Sequence, residues 1–277
     1  MIEYLNTRDY SITQEEFVLM YDEQRELLKT EPQPDNLDPY YQHEEYISHT
    51  DNNKTFLEKI YQLVKTIGLS RKRKWLQKFV LENSKVLDVG AGTGSFVAYL
   101  RDNDFNAVGV EPSDRARKLA SIKGVSLSES IDEIAKQEFD AITLWHVLEH
   151  FKDLDREITK LKERLKTGGC LFIAVPNFRS YDAKHYGEYW AAYDVPRHLW
   201  HFSRAAIQNI FNKKGFQLMD TKPMLFDSFY IALLSEHYKH GRKRWLSAIW
   251  HGLRSNLYGF RTGEYSSLVY ILRKRPE

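Results

Sequence analysis

Gly90-Ala91-Gly92-Thr93-Gly94 sets three glycines at alternate positions behind the apolar, acid-bearing run Lys85-Val86-Leu87-Asp88-Val89. Glycine adopts backbone angles that other residues avoid, and without a Cβ it lets the main chain approach a ligand closely. An amphipathic segment opens at Ser95, so the turn's N–H groups and a helix start can meet a polar or anionic group. The dinucleotide fingerprint requires G-x-G-x-x-G, whereas here the third glycine falls one place early, at Gly94. The next apolar run, Ala107-Val108-Gly109-Val110, closes on Glu111. A carboxylate at that strand end suits hydrogen bonding to the two hydroxyls of a ribose.

A second group of candidates lies further on. His146-Val147-Leu148-Glu149-His150 spells H-x-x-E-H, the inverted zinc-peptidase motif. That motif needs both histidines one turn apart on a helix, with a third protein ligand. His146 directly follows the apolar strand Ala141–Trp145, so the first histidine lies at a strand end and no metal is expected. Residues 176–202 carry Tyr181, Trp190, Tyr193, Asp194, Arg197 and His198 among other aromatic and polar groups. Loops of that length inside compact domains are usually functional, and this aromatic content argues against disorder. Two readings stand for Asp194-Val195-Pro196-Arg197-His198: a loop-fixing ion pair with His198 packed, or direct substrate contact.

Alternating elements must position these residues. From Ser84 onward, strands are expected at 85–89, 107–111, 125–127, 139–145, 170–175, 216–221 and 264–272, with helices near 114–122, 153–165 and 203–213. That alternation predicts a doubly wound α/β sheet, whose ligands sit beyond the carboxyl ends of the strands. Residues 53–82 read as a helix, and 226–257 as a loop plus a helix rich in Tyr, Leu, Trp, Lys and Arg. Residues 16–30 read as a hairpin, with a helix over 13–29 nearly as good on periodicity, and Pro32 and Pro34 end either one. At 277 residues the chain supports one large domain, or one with additions. Its 40 Lys and Arg against 38 Asp and Glu give no general electrostatic case for nucleic acid. The single cysteine, Cys170, excludes an intramolecular disulfide or a cysteine-rich zinc site. With no apolar run of membrane-spanning length, a cytoplasmic protein is expected.

D-V-G-A-G-T-G at 88–94, followed by V-G-V-E-P at 108–112, resembles the class I S-adenosylmethionine-dependent methyltransferases. The run D-V-P-R-H-L-W-H-F-S at 194–203 resembles a signature of a bacterial subgroup of these enzymes, related to those of ubiquinone and menaquinone biosynthesis. The resemblance covers roughly residues 84–220. It implies a Rossmann-like, seven-stranded, mostly parallel sheet with helices on both faces and an antiparallel last strand. Residues 53–277 would form that domain, with substrate-side insertions at 177–202 and 226–257. Residues 1–52 would form an N-terminal lid: similar proteins often carry a zinc ribbon there, but Tyr21 and Gln24 stand where a C-x-x-C would fall.

The resemblance also implies roles. S-adenosyl-L-methionine is the expected cofactor, with Asp88, Gly90, Ala91, Gly92 and Gly94 beneath its methionine part and Glu111 on the ribose. Pro112, with Ser113, and the pair Ser130 and Ile131 would lie beside the adenine, and Trp145 and His146 where the methyl group points. Tyr41 or Tyr46 would fold over the cofactor mouth. Methyl transfer from a sulfonium is an in-line displacement in which the protein mainly places the reactants. A base is needed only where the acceptor must lose a proton, and His146, His150 and His198 are the candidates. The expected acceptor is a small or lipid-like molecule methylated on oxygen. A non-catalytic cofactor-binding regulator and an NAD-dependent oxidoreductase are the alternatives. For the basic aromatic segment at 238–250, a peripheral membrane contact and a homodimer contact are equal readings.

Overall fold

The computed structural model describes residues 1–41, 56–134 and 137–276. In chain order its elements are β1 (Ile2–Arg8), β2 (Glu16–Asp22), β3 (Leu27–Glu31), α1 (Phe56–Leu76), β4 (Lys85–Val89), α2 (Ser95–Arg101), β5 (Asn106–Val110) and α3 (Asp114–Ile122). There follow β6 (Phe139–Trp145), α4 (Leu154–Arg164), β7 (Leu165–Pro176), α5 (Tyr181–Tyr186), β8 (Trp200–Phe202), α6 (Arg204–Lys213) and β9 (Phe216–Pro223). The chain ends with α7 (Asp227–His240), α8 (Trp245–Thr262) and β10 (Ser267–Lys274). Two sheets form, one in the order β1-β2-β3-β8 and one in the order β5-β4-β6-β7-β10-β9. In the larger sheet β4 runs parallel to both β5 and β6.

This is the expected α/β class, with one correction: the large sheet has six strands, not seven. The missing strand is the one expected at 125–127. There the chain makes only an isolated bridge, Val110 with Ser128, held by the Ser128 N–H to Gly109 and the Glu111 N–H to the Ser128 carbonyl. Ser130 then caps a single 3-10 turn over Ile131–Glu133, which ends the pairing before a ladder can extend. Strand β7 also starts earlier than the Gly168-Gly169 pair suggested, running on from Leu165, with Gly168 at φ +78° inside it.

The chain divides into two compact units. The first comprises Met1–Tyr41, Trp145–Ile158 and Ile173–Leu272. The N-terminal stretch is a hairpin, because Asp22 closes the turn: its Oδ1 accepts the N–H groups of Gln24 and Arg25 at 2.9 and 3.1 Å. The aromatic loop is ordered around a buried carboxylate. Asp182 accepts from Trp190 Nε1 at 2.8 Å and from the Ser255 and Ser266 hydroxyls at 2.6 Å each. Three hydrogen bonds satisfy a charge that would be costly to bury alone.

The second unit comprises Gln42–Leu144, Thr159–Phe172 and Arg273–Glu277. The apolar run of β4 is buried from Val86 to Val89, as a strand covered on both faces requires. Val97 and Leu100 of α2 are likewise fully buried. The lysine that ends β10, Lys274, closes the unit by donating to the Lys162 and Leu165 carbonyls at 2.9 and 2.7 Å.

Candidate functional site

In the second unit the three glycines make the turn between β4 and α2. Gly90, Gly92 and Gly94 have φ of 68°, 54° and 71°, a left-handed conformation costly for residues with a Cβ. They do different work. A Cβ on Gly92 would meet nothing within 4 Å, so the main chain there faces open space. A Cβ on Gly94 would lie 2.9 Å from Val125, so this glycine is required for packing. Ala91 ties the turn to β5 by donating its N–H to the Val110 carbonyl at 2.9 Å.

Glu111 follows β5, and its carboxylate is held by the main chain. Oε2 accepts from the Gly92 N–H at 2.8 Å and Oε1 from the Ser113 N–H at 2.9 Å. A carboxylate has about four lone-pair positions, so two bonds orient it and still leave acceptor capacity. Arg117 braces the turn after β5 by donating to the Glu111 and Pro112 carbonyls at 2.8 and 2.7 Å. Asp88 is buried beneath the glycines and accepts from the Thr143 hydroxyl at 2.6 Å. Burial pushes its carboxyl up to about 6, against that hydrogen bond and the charge of Lys72. Pro112 is exposed, Ser130 half-buried and Ile131 buried at 7 % exposure.

The first unit holds the histidines. Trp145 ends β6 and His146 follows it, both half-buried, and the His146 N–H donates to the Ala174 carbonyl at 3.0 Å. His146 has φ 58°, an uncommon conformation for a residue with a Cβ. Its Nε2 lies 3.0 Å from Asp227 Oδ2 and its Nδ1 3.4 Å from Glu149 Oε1. Burial alone would lower the His146 pKa, but hydrogen bonds to Asp227 and Glu149, with their charges, push it up to about 10. His146 is therefore an imidazolium at neutral pH.

His150 is set the other way. Its Nδ1 lies 2.9 Å from the Arg197 carbonyl and 3.2 Å from the Tyr41 hydroxyl, and its ring meets His198 edge-on at 4.7 Å. Burial, together with the charge of His198, brings its pKa down to about 4, so the ring is neutral. Glu149 is 1 % exposed, its Oε1 facing His146 Nδ1 at 3.4 Å and its Oε2 without a hydrogen bond among the described residues. Burial raises its pKa, but the His146 hydrogen bond and the nearby histidine charges outweigh this, and the net direction is downward. The ligand-type atoms of Glu149, His150 and His198 lie within 4.8 Å of one another, the one such cluster among the described residues. One carboxylate and two imidazoles are a donor set suited to a transition-metal cation. It is not the H-x-x-E-H pair, since His146 is engaged by Asp227.

Arg197 is 1 % exposed, and it reads as an anchor. It donates to Asp194 Oδ1 at 2.7 Å, Asp9 Oδ1 at 2.8 Å and the Tyr40 carbonyl at 3.0 Å. His198 is buried, with Nδ1 2.9 Å from the Ala192 carbonyl. Sequence reasoning missed Asp227 and Asp9. Asp227 opens α7, where an acid reads as ordinary helix-start chemistry, and nothing in the neighbourhood of Asp9 marks it as a partner for Arg197. Tyr46 lies outside the described residues.

A methyltransferase-domain family model matches residues 57–221, more than half of the chain. The chain belongs to the methyltransferase domain family. Its place is among the class I S-adenosylmethionine-dependent methyltransferases, the class that the glycine turn resembles. The chain is 34 % identical over 105 residues to the ubiquinone biosynthesis O-methyltransferase of Chelativorans sp., a match covering 35 % of this chain and 42 % of that protein. It is 30 % identical over 131 residues to the demethylmenaquinone methyltransferase of Bacteroides fragilis, covering 40 % and 53 %. The chain thus spans about half the length of the curated relatives it matches. The magnesium protoporphyrin IX methyltransferase of Synechocystis PCC 6803, solved with bound S-adenosylhomocysteine, shares the fold, with a TM-score of 0.54 at 13 % identity over 82 % of this chain and 90 % of that one.

The residues of the turn fit S-adenosylmethionine. Glu111 is pre-oriented with acceptor capacity for ribose hydroxyls, and Gly92 leaves the space that a close ligand needs. Asp88, Gly90 and Ala91 shape the same turn, while Gly94 serves it from beneath.

Proposed function

We propose that this methyltransferase moves the methyl group of S-adenosylmethionine to an oxygen of a small, lipid-like, quinone-type acceptor. The single observation behind the reading is the Glu111 carboxylate, tied to the Gly92 and Ser113 N–H groups at the end of β5. Similarity to quinone-pathway methyltransferases supports the acceptor class. When bound, the sulfonium supplies a methyl carbon already activated for displacement. The protein's work is then orientation and, for a hydroxyl acceptor, removal of a proton.

The three candidate histidines divide that work. His146 holds its proton between Asp227 and Glu149 and acts as a fixed positive group. His150 is neutral, and it is the ring that can take a proton, with the Glu149 carboxylate within 4.8 Å to stabilise the charge that results. His198 supports the His150 ring edge-on. Ser130, Ile131 and Pro112 flank the adenine in this reading. A cytoplasmic setting with access to a hydrophobic acceptor completes it.

The test is incubation of the full chain with methyl-labelled S-adenosylmethionine and a panel of hydroxylated quinone precursors, followed by mass spectrometry of the products. Label on an acceptor oxygen, with stoichiometric S-adenosylhomocysteine and a large loss of rate in His150→Ala, is the expected result. Cofactor binding without turnover on any acceptor would make the chain a cofactor-binding regulator instead. Binding of NAD alone would overturn the reading.

A further inference from the structure

Helix α8 is built inside out. The residues it buries are small: Ala248, Gly252, Ser255 and Gly259. Close packing demands this, since a Cβ on Gly252 would lie 2.6 Å from Phe229 and one on Gly259 would lie 2.5 Å from Tyr265. Its large apolar side chains point outward, with Leu246 86 %, Phe260 81 %, Leu257 62 % and Trp250 59 % exposed, and Ile249 and Leu253 nearly half exposed. At 3.6 residues per turn these six positions fall within an arc of about 100°, a continuous stripe opposite the buried one. A soluble helix ordinarily turns such a stripe inward, and an exposed patch of this extent marks an interaction surface.

The charges around the stripe narrow the partner. From Lys239 to Gly263 there is no acidic residue, while Arg242, Lys243, Arg244, Arg254 and Arg261 are all exposed. Trp245 and Trp250 add amphipathic rings of the kind enriched where apolar and polar media meet. Among the described residues no helix is long and apolar enough to cross a membrane, so α8 would lie on a bilayer and not span it. A second copy docked through the same stripe would bring two acid-free, cationic helices together, and like charges oppose that contact.

We propose that α8 is a peripheral membrane-docking helix, its Leu246–Phe260 stripe inserted among acyl chains and its arginines and Lys243 on anionic headgroups. Apolar burial and attraction to negative lipid would act together, as in interfacial amphipathic helices. The inference does not depend on which acceptor is methylated, or on whether one is.

The experiment is flotation of the full chain with vesicles of phosphatidylcholine alone or mixed with phosphatidylglycerol, at low and high salt. The double variant Trp250→Glu with Leu253→Glu serves as comparison. Both positions face solvent, so circular dichroism, melting temperature and S-adenosylmethionine binding should match wild type and show that the variant is folded. Expected are co-flotation with the phosphatidylglycerol vesicles, about tenfold weaker partitioning onto phosphatidylcholine or at high salt, and loss of binding in the folded double variant. Wild type that stays with the soluble fraction at low salt would overturn the proposal, as would equal flotation of the double variant. Light scattering that shows a wild-type dimer and a monomeric double variant would assign the face to a second copy and overturn it as well.

Discussion

His146 Nε2 sits 3.0 Å from Asp227 Oδ2, joining the residue that follows β6 to the residue that begins α7. The pair, with Glu149 on the other ring nitrogen, makes an imidazolium of a side chain whose ordinary pKa is 6.5. A protonated His146 cannot be the base that a hydroxyl acceptor needs at neutral pH. In the proposed reading that role falls to His150, kept neutral a few residues away.

Asp227→Asn removes the stronger of the two carboxylate contacts, so the His146 pKa falls from about 10 toward its ordinary value of 6.5. A raised histidine pKa contributes stability that is fully present below about 6.5 and is lost as pH rises through about 10. The variant should therefore lose more stability at pH 6 than at pH 10.5. The His146 side chain is 34 % exposed, and screening by water keeps the effect modest. Imidazole NMR titration reads the pKa directly, and an unmoved His146 resonance would show that Asp227 does not set it.

Glu111→Ala should weaken S-adenosylmethionine and S-adenosylhomocysteine by about 10- to 100-fold, the effect of losing hydrogen bonds to a charged acceptor worth roughly 1.5–3 kcal/mol each. The substitution also removes the acceptor for the Gly92 and Ser113 N–H groups. Calorimetric titration of both ligands checks this. Unchanged affinity would remove Glu111 from the cofactor site.

Gly92→Ala and Gly94→Ala separate two uses of one turn. Each forces alanine into a left-handed conformation, at about 1–2 kcal/mol. Gly94→Ala should destabilise further, because its methyl group would lie 2.9 Å from Val125, whereas Gly92→Ala meets nothing and should cost affinity for the cofactor instead. Melting temperature and calorimetric affinity, measured together, distinguish the two. Equal melting temperatures would count against the packing role of Gly94.

Arg197→Ala should cost about 3–5 kcal/mol, because it leaves the buried Asp9 and the half-buried Asp194 without their cation. Arg197→Lys should recover only part of this, since lysine lacks the planar donor array that reaches Asp9, Asp194 and the Tyr40 carbonyl at once. Burial would raise the Asp9 pKa, but the Arg197 contact and backbone hydrogen bonding bring it down to about 2. A depressed carboxylate contributes stability above its unfolded value of 3.8 that is lost as pH falls through about 2. Denaturant unfolding between pH 5 and 2 should therefore fall more steeply for wild type than for Arg197→Ala.

What the sequence determined by itself was local. The glycine turn, Glu111 at the close of its strand, the Ser203 cap on α6 and the Asp22 turn between β2 and β3 are each specified by neighbours a few residues apart, and each forms where its residues imply. The strand at 125–127 failed for an equally local reason, since a bridge and a 3-10 turn fill the space a ladder needs. Only the tertiary structure decided which carboxylate His146 would meet, that Arg197 would reach back to Asp9, and that α8 would turn its small residues inward. A hydrogen bond between distant segments leaves no periodic trace in the chain. The hydrophobic pattern of a helix gives its two faces, but packing against α7, where Phe229 admits only a glycine, chooses the one that is buried.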